Sequence, residues 1–117
     1  MPTIPMRTLA DDLAAAVSAA ADPPSILQEA HEIIYGDREQ THGAPQKNLE
    51  AIARIWSALL SSHLGVDCVI PPALVCLMMA GLKLARAANK PSHRDHARDT
   101  AGYMGLMDRC GYLDAED

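Results

Sequence analysis

The chain has no phenylalanine, one tryptophan and three tyrosines among 117 residues, and no strand-like segment that can be defended. Sheets draw on aromatic and β-branched residues, so this scarcity argues against a β fold. Basic residues are outnumbered, ten Lys and Arg against fifteen Asp and Glu, which leaves a net charge of −5. That balance excludes nucleic-acid binding led by phosphate contacts, which needs a basic face. The three cysteines have no CxxC spacing, and the opening residues lack the basic region and apolar run of a signal peptide. A reducing cytoplasm is the expected setting. No apolar stretch makes a good membrane span, which takes about 20 residues. A P-loop and a nucleophile elbow are also absent.

What is present is an apolar population of 49%, mostly Ala, Leu, Ile and Met, in a chain long enough for one core. These residues favour helix, and the length favours one domain. The most informative stretch is Pro72 to Ala88, PALVCLMMAGLKLARAA, which is apolar around nearly its whole circumference. Such a helix is expected to be buried. Near its end it carries Lys83 and Arg86, one turn apart. Buried cations need anionic partners, so the chain is expected to hold either an internal ion-pair network or a pocket for an anion. Acids lie close by in HRDHARD, His93 to Asp99.

The remaining elements can be placed along the chain. Thr8 to Ala21 is Ala-rich with a thin stripe of Leu9, Leu13 and Val17, and it reads as an N-terminal arm ending at Asp22-Pro23-Pro24. Ser25 with Gln28 forms a capping box for a helix whose apolar face runs through Ile26, Leu27, Ala30, Ile33 and Ile34 to Tyr35. Gly36 to Ala44 is a loop, and Pro45 suits a first helical turn. A third helix, Pro45 to Leu64, places Leu49, Ile52, Trp56, Leu59 and His63 on one stripe and ends at Gly65. Ser92 is expected to cap the last helix, with a core face of Thr100, Tyr103, Met104, Met107 and Cys110. The expectation is an all-α fold: a compact bundle of four core helices over residues 25–117 and a helical arm or linker over 1–24.

Candidate functional residues follow from helical spacing. Asp95 and Asp99 share a stripe with Gly102 and Leu106, so both carboxylates point along one groove wall. Glu29 and Glu32 form E-x-x-E, a spacing by which one helix can present two carboxylates to a divalent cation. Lys83, Arg86 and Arg38 can neutralise phosphate, while Asp37, Asn48, Trp56 and Tyr103 can address a nucleoside. Each has a plainer role as well: helix-dipole acids paired with Lys83 and Arg86, a solvated glutamate face, a core tryptophan. His93, His96 and Asp99 spread over about 9 Å of helix rise, which one zinc ion cannot easily span. HRD without a Gly-rich loop or DFG is a chance match to kinases.

YGDREQTHGAPQKNLEAIARIW, followed by MMAGLKLARAANKPSHRDHARDTAGY, resembles a family of small bacteriophage and prophage proteins of unknown function. Its pattern runs YGDR, YG, P, N, A, W, then MM, LK, AR, D, DxAGY, and the resemblance covers Leu27 to Met107. Thr41-His42-Gly43 stands here where the family commonly has tyrosine before the glycine. The family is similar to nucleotide-modification-associated phage domains and, more distantly, to MazG-like all-α nucleotide pyrophosphohydrolases. Those enzymes hold Mg²⁺ with E-x-x-E on one helix and E-x-x-D on another. Glu29 and Glu32 match the first; the second is absent, and Asp95-x-x-x-Asp99 stands in its place.

The leading expectation is a phage-type nucleotide-binding protein of the host cytoplasm, assembling as a homodimer or higher oligomer. In its hydrolytic version Glu29, Glu32, Asp95 and Asp99 hold Mg²⁺ and position water. The alternatives are a non-catalytic binder that sequesters a host nucleotide signal or protein, and a structural oligomer.

Overall fold

The computed structural model describes residues 8–13, 23–36 and 43–115. Its main elements are α1 (Ile26–Tyr35), α2 (Pro45–Leu64), α3 (Pro72–Asn89) and α4 (Arg94–Arg109), with a short helical stretch over 9–13 and no strand among the described residues. The all-α expectation holds. Most of the N-terminal arm, with Asp37, Arg38 and His42 of the loop, lies outside the described residues.

The helix boundaries have local causes. At α1 the Ser25 hydroxyl accepts from the Gln28 amide at 3.1 Å, and the Gln28 side chain accepts from the Ser25 amide at 2.7 Å. This reciprocal box satisfies two donors that a helix start leaves open. Pro45 occupies the first turn of α2, and Gly65 ends that helix in the left-handed region (φ 72°), its amide bonded to the Ser61 carbonyl. At α4 the expected Ser92 cap is corrected. Ser92 sits inside a turn in which the His93 amide bonds to the Lys90 carbonyl, so His93 takes the cap position and makes no side-chain cap bond.

The segment between α2 and α3 is fastened by two serines one turn apart on α2. Ser57 accepts from the Ile70 amide and Ser61 from the Cys68 amide, both at 2.8 Å. Each hydroxyl also donates to the carbonyl of the residue it accepts from. This satisfies an extended stretch that has no strand partner. It also drives Ile70 into the core cluster formed by Leu49 and Ala53 of α2, Val75 and Cys76 of α3, and Met107 of α4.

α4 is the central element, packing on α3 along one side and on α1 along the other, while α2 packs chiefly on α3. Gly105 lets α1 approach α4: a methyl group there would collide with the Ile34 side chain. Burial is narrower than the periodicity predicts. In α3 only Val75, Cys76 and Ala80 are buried, because α2 and α4 meet the same side of that helix; Leu74, Leu77, Met78, Leu82 and Leu84 are exposed. Leu59 and His63 of α2 and Met104 of α4, all assigned to core faces from the sequence, are exposed too.

Candidate functional site

Because α2 leans on α3 rather than on α1, an open groove of about 610 Å³ remains between α1, α2 and α4. Ile33 and Ile34 of α1 form one wall, Ile52 and Ile55 of α2 the other, and Tyr103 and Leu106 of α4 line it between them. Small-molecule sites have this character and size, apolar walls with few polar groups. The polar groups are Asn48 at the start of α2, Lys83 from α3, and Arg98, Asp99 and Arg109 from α4.

The charged centre is built on Asp99. Lys83 Nζ lies 3.0 Å from its Oδ2, and Arg98 Nε donates to its Oδ1 at 3.1 Å. Burial alone would raise the Asp99 carboxyl, but the hydrogen bonds and charges of Lys83 and Arg98 outweigh it and hold the group below the usual carboxylate value. The Asp99 hydrogen bond in turn favours the charged Arg98 guanidinium. Asp95 also faces Arg98, at 3.4 Å, and His93 at 3.5 Å. Arg109 donates to the Ile34 carbonyl and lies over the Tyr35 ring, 5.3 Å from its centroid, which ties α4 to the end of α1.

Among the described lining residues three are cationic, Lys83, Arg98 and Arg109, and one is acidic, Asp99, in a chain whose net charge is −5. The N-terminus of α2 opens at the same place through Gly43, Pro45 and Asn48, with neither a side-chain cap nor an acid in its first turn. A helix N-terminus carries partial positive charge, so it adds to the local field.

Of the residues singled out from sequence, Asn48, Lys83, Asp99 and Tyr103 come together in this groove. Glu29 and Glu32 line a shallower depression beside it with Ile33 and Arg98. Glu29 is engaged by Arg94 at 3.1 Å. Arg86 is exposed and away from the groove lining, and Trp56 packs against the core cluster. Among the described residues, no group of three or more His, Cys, Asp or Glu side chains is placed to hold a metal. No described helix is long and apolar enough to cross a membrane.

Sequence reasoning passed over Arg98 and Arg109. Arg98 carried a usable signal, three residues after Asp95 and beside Asp99, so that it shares their helix edge. Arg109 carried none, because its role depends on the Ile34 carbonyl of a distant helix.

A domain of unknown function, DUF6378, matches residues 25–111. The chain belongs to the DUF6378 family. It is 40% identical over 85 residues to the Gene 55 protein of Mycobacterium phage L5, a match covering 73% of this chain and 51% of that protein. With the Gene 55 protein of Mycobacterium phage D29 it is 35% identical over 86 residues, covering 73% and 52%. The chain thus spans about half the length of the curated relatives it matches. No solved structure matches it. The phage relatives bear out the resemblance to a small phage family read from the YGDR and DTAGY segments, and they do not extend it to MazG-like enzymes.

Proposed function

We propose that this DUF6378 domain binds a small anionic ligand of the nucleotide class in the groove between α1, α2 and α4. The observation that carries the reading is the local excess of positive charge, Lys83, Arg98 and Arg109 against Asp99, in an acidic chain. Lys83 and Arg98 meet the phosphates, with Asp99 holding both side chains in place beforehand. The base lies between the isoleucines of α1 and α2 and against Tyr103, and Asn48 supplies a donor and an acceptor at the groove mouth.

This reading is binding without a resident metal. Glu29, Asp95 and Asp99 each face a cation already, so a Mg²⁺ site on those residues and Glu32 would have to break four ion pairs with Lys and Arg first. The test is a thermal-shift screen of wild type and Lys83→Ala against nucleoside mono-, di- and triphosphates and cyclic nucleotides, with and without Mg²⁺, following product by chromatography. A hit at 100 times its dissociation constant stabilises wild type by about 2.7 kcal/mol. Lys83→Ala is expected to weaken that hit about tenfold, about 1.4 kcal/mol. A shift that requires Mg²⁺ and yields product replaces binding with the hydrolytic version on Glu29, Glu32, Asp95 and Asp99. No shift with any nucleotide contradicts both.

A further inference from the structure

α4 carries two glycines in its interior, Gly102 and Gly105, where glycine weakens a helix relative to alanine. Gly105 has a reason within the chain, since a side chain at that position would collide with Ile34 of α1. Gly102 has no such reason. It is buried, yet apart from its chain neighbours and the helix's own backbone a methyl group there would meet no atom within 4 Å. No side chain of α1, α2 or α3 fills the space over it.

That space belongs to the groove. At 100° per residue the α4 positions lining the groove, from Arg98 round to Tyr103, occupy an arc of about 140°, and Gly102 falls inside it. Along the helix axis Gly102 lies about 4.5 Å beyond Asp99 and about 6 Å beyond Arg98, one turn from the charged centre. The groove around it is apolar, with Tyr103 and Leu106 of α4, Ile33 and Ile34 of α1 and Ile52 of α2. In mid-helix the backbone N–H and C=O groups are bonded along the helix, so Gly102 offers a ligand no hydrogen bond. What it offers is close approach to a smooth apolar backbone. A phosphate gains nothing from such a patch, whereas a flat ring can pack on it.

We infer that Gly102 sets the orientation of the ligand: the ring of a nucleotide base lies flat against the α4 backbone at Gly102, with the phosphates one turn away at Lys83 and Arg98. This rests on the reading of the groove as a nucleotide site and adds to it the residue that admits the base.

Isothermal titration calorimetry of the intact chain with adenosine, guanosine, cytidine and uridine mono-, di- and triphosphates, without Mg²⁺, tests this. Gly102→Ala is expected to weaken the tightest of these about tenfold and Gly102→Leu at least about 100-fold. Melting of the free Gly102→Ala chain should rise, because alanine favours helix over glycine. Gly81→Ala, on the exposed side of α3, should raise melting likewise and leave affinity unchanged. In the wild-type complex, intermolecular NOEs from the Gly102 α-protons should run to base protons. Both Gly102 variants binding within about threefold of wild type, or NOEs to ribose protons alone, overturns the inference, while loss of binding in Lys83→Ala keeps the reading of the groove standing. A Gly102→Ala chain that melts below wild type overturns it too, since the space would then be filled. No binding of any of these nucleotides to wild type overturns the reading of the groove itself, and the inference with it.

Discussion

The two sides of α3 are both largely apolar in sequence, the inner one also carrying Lys83, and entirely different in the folded chain. The inner side, Val75, Cys76 and Ala80, is sealed by α2 and α4 and delivers Lys83 to Asp99 at its far end. The outer side, with Leu74, Leu77 and Met78, stays about two-fifths exposed. An all-round apolar helix sets the expectation that both sides will be covered, without saying by what. One side is covered by the chain itself; the other stays exposed among the described residues.

The largest effect expected is a charge placed on each side in turn. Val75→Asp buries an unpaired carboxylate in the core and should cost at least about 3 kcal/mol, leaving little folded protein by far-ultraviolet circular dichroism. Leu77→Asp, two positions on, should leave the monomer within about 0.5 kcal/mol of wild type in a denaturant melt. Equal losses at the two positions would erase the distinction.

Next in size is Leu49→Ala. Leu49 belongs to both the core cluster and the groove wall, and its truncation should cost about 2–5 kcal/mol in urea unfolding.

A smaller effect comes from Asp99→Asn, which leaves Lys83 and Arg98 without their shared counter-charge. The site is partly exposed, so the expected loss at pH 7 is about 1 kcal/mol. The Asp99 carboxyl is held below its ordinary value, so the stabilisation is complete above about pH 4 and is lost as pH falls through the lower folded value. Wild type and Asp99→Asn should therefore converge in melts taken at successively lower pH, and a constant gap would show that the ion pairs contribute nothing.

The smallest contrast is chemical. Burial, with Cys110 nearby, pushes the Cys76 thiol up to about 11. A maleimide at pH 7.5 should leave Cys76 unlabelled in the folded protein and label it fully in denaturant, as read by mass spectrometry. Labelling of folded protein at Cys76 would mean the inner side opens.

The boundaries of α2 and α3 were legible from Pro45, Gly65 and Pro72, and that of α1 from Ser25 and Gln28, because those signals act within a few residues. The Ser57 and Ser61 bonds to Ile70 and Cys68 were not, since an exposed serine and a serine that holds a neighbouring segment look alike in sequence. Helical spacing brought Lys83, Asp99, Asn48 and Tyr103 forward, and the structure joins them. It could not separate Lys83 from Arg86. Both follow the same apolar run, and which one meets Asp99 depends on where α4 packs around α3.

The central claim, that the groove with Lys83 and Arg98 receives an anionic ligand, is tested most directly by a two-dimensional amide NMR titration of the intact chain with the best nucleotide from the screen. The account predicts shifts concentrated at Asn48, Arg98, Asp99 and Tyr103, with the Trp56 indole and the amides of Leu77 and Met78 unmoved. Shifts centred on Trp56 or on the outer face of α3, with the groove silent, would contradict it.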